Sequence, residues 1–413
     1  MTALRPSCRW LRPQRRGALG RLFCSKTDRP SKPIQTLLNQ ASFGETAAEK
    51  LDIAASKSKS SSTASYPPSA RELAAEKIRK LAPDRLNADH STVLLFPGQG
   101  AQFVGMGKHL LELPKVRSIY AAASEHLNVD LLKLCVDGPA DELNRTELCQ
   151  PAVFVTSLAA LERLRQMDEF AIDECIATAG FSVGEYAALV FAGVLKFQDA
   201  LRILKVRARA MQLCSERSPG GLLTVRLRAS SKLGAAMQAA IEVNHNTDGS
   251  RRPVCSVAID MIPLIKVIGG DESCLRWLEQ NGAKFDVRPM KRVAVSGAFH
   301  TQLMRPVEKK LTEALQHVQF GVPTVPVLAN FDGDAYPTDD ATLARVVRRN
   351  LVKQVTTRVR WEHTLHSLFN HSRQFFQHDK LPRCYEVGPG QQLCSVMRQY
   401  NPKVAQLMKP VPV

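Results

Sequence analysis

Gly180-Phe181-Ser182-Val183-Gly184 is the stretch on which the reading of this chain turns. Before it, Cys175-Ile176-Ala177-Thr178-Ala179 is a short apolar run of strand length. After it, Glu185-Tyr186-Ala187-Ala188-Leu189-Val190 opens a buried helix. A serine between two glycines at a strand-to-helix turn is a nucleophile elbow. The turn forces the serine backbone into a tight conformation that flanking glycines accommodate, and it lifts the hydroxyl above the sheet. The N–H of the following residue and the positive end of the helix then face any oxyanion formed there. A tight turn without chemistry is the alternative.

Around this stretch lie 413 residues, enough for one large domain and a smaller one. A hydrophobic content of 44% with 23% charged residues is that of an ordinary soluble protein. No apolar run approaches the roughly 18 residues needed to span a bilayer, so no membrane span is expected. The ten cysteines show no C-x-x-C or Cys/His ligand spacing, which argues against a zinc site or a disulfide framework. Reduced, buried thiols of an intracellular protein are expected.

The net charge of +17 is unevenly spread. Residues 1–33 hold nine Lys/Arg against Asp28 alone, leaving +9 for the remainder. Arg-rich, acid-poor and without a continuous apolar core, this segment has the make-up of a mitochondrial transit peptide. A basic arm touching nucleic acid is the competing reading. Residues 34–90, with a Ser/Lys/Ala tract, Pro67-Pro68 and one charged helical segment, read as a linker with a surface helix.

The folded body is expected over 91–220 and 294–400, with an insert at 221–293. It starts at Thr92-Val93-Leu94-Leu95-Phe96, a buried strand running into Pro97-Gly98-Gln99-Gly100. A dinucleotide fingerprint would need a glycine where Phe103 stands, and no Walker A sequence occurs. A long helix from Phe197 to Ser215 carries Arg202, Lys205, Arg207 and Arg209. Residues 221–292 read in order as strand, helix, two strands, helix and strand: a ferredoxin-like βαββαβ unit inserted in the larger α/β domain. Ser296-Gly297-Ala298-Phe299-His300 comes next, then a helix over 301–318, a strand at 325–330 and a basic helix ending at Gln354. Glu386-Val387-Gly388-Pro389-Gly390 turns into the last helix.

Four of these pieces, Leu95–Gly100, Gly180–Glu185, Ser296–His300 and Glu386–Gly390, occur in an order that resembles the malonyl-CoA:acyl-carrier-protein transacylases, in particular their mitochondrial members. The resemblance spans about residues 92–395. It implies an α/β-hydrolase-like large domain with an inserted ferredoxin-like subdomain, and a ping-pong transfer of malonyl through an acyl-serine. It implies no cofactor and no metal, malonyl-CoA and acyl carrier protein as partners, and a mitochondrial matrix location. Ser182 matches the nucleophile and His300 the base, which the family orients through a main-chain carbonyl rather than an acid. Gln354 resembles the glutamine beside that carbonyl. The main-chain N–H groups of Gln99 and Val183 match the oxyanion hole.

Arg207 matches the arginine that selects a diacid thioester, since a guanidinium grips a carboxylate bidentately. A solvated face shared with Arg202 and Arg209 is the competing placement. Two departures from the family stand out: Ile259 where an Asn is frequent, and Arg358 where a Pro usually precedes the Val of the tryptophan motif. Carrier proteins of this kind are acidic, so a basic face at Arg345, Arg348, Arg349 and Lys353 is a candidate dock, as against a solvated helix. A serine hydrolase, using water as acceptor, would share the elbow but have no use for Arg207.

Overall fold

The computed structural model describes residues 91–248, 251–369 and 381–413. The Arg-rich segment 1–33 and the stretch 34–90 lie outside the described residues. Two sheets organise the described chain. The first is five-stranded, in the order β7-β2-β1-β8-β9, and all its pairings are parallel. Its strands are β1 (Thr92–Phe96), β2 (Cys175–Gly180), β7 (Val327–Leu328), β8 (Arg383–Glu386) and β9 (Met408–Pro410). All five residues of β1 are buried, as a central parallel strand covered on both faces requires.

The second sheet is antiparallel, in the order β4-β5-β3-β6. Its strands are β3 (Gly220–Arg226), β4 (Cys255–Ile262), β5 (Ile265–Asp271) and β6 (Arg288–Arg292). The helices Leu233–Asp248 and Glu272–Asn281 connect β3 to β4 and β5 to β6, which makes the unit ferredoxin-like. It has its own small core, including Leu223, Val225, Ile268, Leu275 and Leu278.

Four helices position the chemistry. Helix α1 (Thr146–Met167) is buried along most of its length, as expected of a helix at the centre of the core. Helix α2 (Gly184–Phe191) succeeds the elbow, α3 (Phe197–Arg217) crosses α1, and α4 (Asp340–Gln354) ends beneath the site. In α3 the buried residues Leu204, Arg207, Ala208 and Met211 form one stripe, while Arg202, Lys205 and Arg209 face water. Arg207 therefore stands on the inner face of the helix, apart from its basic neighbours.

Several elements differ from expectation. The helix expected over 301–318 is a short 3-10 turn at Gln302–Met304 leading into Arg305–Leu315. The strand expected over 325–330 has only two paired residues, Val327 and Leu328. The chain does not finish its fold at 400: helix Pro402–Leu407 leads to β9, which pairs with β8. All eight described cysteines are buried, and none is disulfide-bonded to another described cysteine. Among the described residues no helix is long and apolar enough to cross a membrane, and no group of three or more His, Cys, Asp or Glu could hold a metal ion.

Candidate active site

The elbow is built by close approach. A Cβ on Gly180 would stand 1.9 Å from the Gly184 carbonyl oxygen, and one on Gly184 would stand 2.3 Å from that of Phe96. Neither position tolerates a side chain without moving backbone. Between them Ser182 takes a left-handed φ of 53°, strain that the surrounding bonds hold in place. Its main-chain N–H donates to Asn330 Oδ1 at 2.7 Å, and Asn330 Nδ2 donates to the Gly180 carbonyl at 2.6 Å. One buried amide thus clamps the turn from both sides.

Ser182 Oγ lies 2.9 Å from His300 Nε2, across 118 residues of sequence. His300 also has a left-handed φ, 61°, and its Nδ1 lies 2.7 Å from the Gln354 carbonyl. A carbonyl oxygen only accepts, so Nδ1 carries the proton and Nε2 is free to accept the serine hydroxyl proton. Burial lowers the imidazole pKa to about 4, and the nearby Arg207 charge pushes the same way against the Gln354 hydrogen bond. The ring is therefore neutral near pH 7, as a proton acceptor must be.

Arg207 is wholly buried. It donates to Gln150 Oε1 at 2.5 Å, to Gln354 Oε1 at 2.8 Å and to Ser182 Oγ at 3.3 Å, and its guanidinium lies over the Tyr186 ring at 5.6 Å. None of the described carboxylates forms an ion pair with it. Its Nε and the Tyr186 hydroxyl are both buried without a hydrogen-bond partner among the described residues. A buried cation lacking an anion is costly unless a ligand supplies one, so this corner is suited to a carboxylate.

The main-chain N–H groups of Gln99 and Val183 donate to no acceptor among the described residues. Val183 is the N-cap of α2. The loop bearing Gln99 abuts the elbow, since a Cβ on Gly98 would meet the Phe181 carbonyl oxygen at 2.5 Å. The Gln99 side chain is tied down by Thr146 Oγ1 at 3.2 Å and Gln150 Nε2 at 3.3 Å. Gln150 therefore links this loop to Arg207.

All six expected residues, Ser182, His300, Arg207, Gln354, Gln99 and Val183, thus fall in one neighbourhood. The contacts of Gln150, Glu185 and Asn330 could not be read from local spacing, although Glu185 closes the Gly180–Glu185 stretch, because each meets partners far along the chain. A cleft of about 390 Å³ opens from His300 and is lined also by Val257, Gln302, Thr357, Arg358 and Arg360. At its rim Arg358 pairs with Asp260 at 3.2 Å, and Ile259 is buried against Val359. The two departures from the family pattern thus join β4 to the segment before Trp361. A larger surface hollow of about 560 Å³, beside Pro139, Glu142 and Glu147, includes none of the six.

The sequence pattern of the acyl transferase domain matches residues 93–370. The mitochondrial malonyl-CoA-acyl carrier protein transacylase of Mus musculus is 44% identical over 310 residues, 75% of this chain and 79% of the relative. The Homo sapiens protein of the same name is 42% identical over 320 residues, 78% of this chain and 80% of its own. Among solved structures, an acyl-carrier-protein S-malonyltransferase from Burkholderia pseudomallei superposes with a TM-score of 0.64 at 28% identity, covering 78% of this chain and 96% of that one. An elbow serine paired with a histidine, inside a fold and sequence pattern shared with these proteins, leaves one assignment: the chain belongs to the acyl transferase family of malonyl-CoA-acyl carrier protein transacylases.

Proposed function

We propose that the protein moves malonyl from malonyl-CoA to the phosphopantetheine thiol of an acyl carrier protein through a malonyl ester on Ser182, supplying mitochondrial fatty acid synthesis. His300 Nε2 takes the hydroxyl proton as Oγ attacks the thioester carbonyl. The C–S bond breaks and the proton passes to the departing thiolate. In the second half the carrier thiol gives its proton to His300, attacks the serine ester, and Oγ regains the proton. The N–H groups of Gln99 and Val183 face the oxyanion in each half; losing one such donor typically costs about 10²–10³ in rate. Arg207 holds the free carboxylate of malonyl and discriminates against acetyl, which would leave the buried cation unpaired. The exchange is redox-neutral and calls for no cofactor.

The observation that carries this reading is the 2.9 Å Ser182–His300 contact, with an anion-free Arg207 donating to the same hydroxyl oxygen. Residues 1–33 and the mitochondrial relatives support a matrix location. The test is mass spectrometry after mixing with labelled malonyl-CoA. The peptide holding residue 182 gains a malonyl ester, which phosphopantetheinylated carrier protein then removes. No labelling of Ser182, or release faster to water than to the carrier, would overturn the proposal, the second result in favour of a hydrolase.

A further inference from the structure

Glu185, three residues past the nucleophile, is buried beneath the site and touches neither Ser182 Oγ nor the cleft. Its carboxylate accepts the Tyr336 hydroxyl at 2.6 Å, the Asn330 main-chain N–H at 3.2 Å and Gln354 Nε2 at 2.5 Å. Gln354 is the shared part. Its side-chain nitrogen also donates to the Ser182 carbonyl at 3.1 Å, and its side-chain oxygen accepts from Arg207 at 2.8 Å. Arg207 can only donate and an ionised carboxylate can only accept, so one orientation of the Gln354 amide satisfies both.

We propose that Glu185 is a positioning residue for substrate selection: its ionised carboxylate fixes the Gln354 amide with nitrogen inward and oxygen toward Arg207, and thereby aims the guanidinium at the free carboxylate of a dicarboxylic acyl thioester. This rests on the carboxylate-holding role proposed for Arg207. Protonating Glu185 puts the proton on the oxygen that faces the Tyr336 hydroxyl, which can turn to accept it, because the other oxygen already takes N–H groups from Gln354 and Asn330. The bond that holds the Gln354 amide then loses its charge, and the guanidinium is held by a weaker anchor.

Burial pushes the Glu185 carboxyl up to about 7, against the hydrogen bonds from Tyr336, Gln354 and Asn330, and Asp332 adds to the rise. The other ionisable groups nearby are Tyr186 on the same helix, Arg207 on α3 and His300. Tyr186 titrates far above this range, at about 12, and His300 below it, at about 4. Between about pH 5.5 and 8.5 the switch is therefore separate from the base.

The experiment measures KM and kcat for malonyl transfer across that range, with acetyl-CoA read in parallel as a competitive inhibitor. Wild-type KM for malonyl-CoA rises about tenfold as pH falls through 7, the scale of one charge-assisted hydrogen bond. The inhibition constant of acetyl-CoA, which has no carboxylate to hold, stays flat. Tyr336→Phe removes a bond that favours the ionised form, so the midpoint moves to higher pH. Glu185→Gln abolishes the midpoint and raises KM at every pH. A midpoint near 7 that survives Glu185→Gln, that fails to move in Tyr336→Phe, or that appears equally for acetyl-CoA overturns the proposal. Arg207→Ala, assayed alongside, keeps the two readings apart: unchanged malonyl preference there refutes the role of Arg207 itself, whatever Glu185 does.

Discussion

His300 and Glu185 are both buried and both bound to Gln354, and burial displaces their titrations in opposite directions. His300 drops from 6.5 to about 4, and Glu185 climbs from 4.5 to about 7. From pH 6.5 down to about 4 the unfolded chain takes a proton that folded His300 refuses, so stability is lost as pH falls. From 4.5 up to about 7 folded Glu185 keeps a proton that the unfolded chain has released, so stability is lost as pH rises. Between 4.5 and 6.5 the two slopes oppose each other, each about 1.4 kcal/mol per pH unit at full occupancy. Glu185→Gln deletes one of them. The unfolding free energy of that variant, measured by urea titration, falls more steeply than wild type's from pH 6.5 to 4.5. Parallel slopes in the two proteins would contradict a carboxyl held neutral by burial. Burial of His300 thus carries a stability cost in mild acid that the neighbouring Glu185 offsets.

Among elements, α4 shows how a basic helix can be structural. Arg348 donates to the Leu315 and Val318 carbonyls at 3.1 and 2.9 Å and stacks on Phe320. Arg349 lies over Phe331 with Asp332 at 3.8 Å, and Lys353 pairs with Glu308 at 2.9 Å. Arg348 in particular closes the end of helix Arg305–Leu315, where main-chain carbonyls lack helical partners. Arg348→Glu is therefore expected to lower stability by about 1–3 kcal/mol, read as a lower thermal midpoint, because two carbonyls lose a charged donor and gain a like charge. A change confined to the carrier-protein KM, at unaltered midpoint, would mark it as a docking residue instead. The same contrast explains what sequence could reveal. The elbow was legible because its strain is local and demands Gly180 and Gly184. The βαββαβ order was legible because the two helices and strands β3 to β5 carry apolar patterns of their own, whereas β6, Arg-Pro-Met-Lys-Arg and largely exposed, does not. Strand β9, with Met408, Lys409 and Pro410, carries none; it exists because β8 offers it a paired edge. Asn330 and Glu185 looked ordinary because their partners lie about 145 to 170 positions away.

At the scale of the whole molecule, the cleft from His300 runs out between the inserted subdomain and the segment before Trp361, and charge is arranged along that seam. Asp260 on β4 is shared by Arg358 and by Lys266 of β5, the latter at 3.4 Å, and Lys266 also meets Glu362 at 2.5 Å. Arg360, exposed at the same rim, has no carboxylate partner among the described residues. Three cations against two carboxylates leave the rim positive where a substrate must pass. Both substrates of the proposed reaction carry a phosphate at the far end of a pantetheine arm whose sulfur would sit at Ser182. An exposed cation acts on such a group over roughly a Debye length, about 8–10 Å at physiological salt, so its contribution is modest and screened. Arg360→Glu is expected to raise KM for malonyl-CoA about three- to tenfold at low salt with kcat unchanged, because the rim lies away from the reacting atoms. The difference should shrink as salt is added, and malonyl-pantetheine, which has no phosphate, should not register the substitution. An equal loss with the phosphate-free thioester would mean that Arg360 shapes the cleft through packing, and that charge at the seam plays no part in drawing the arm inward.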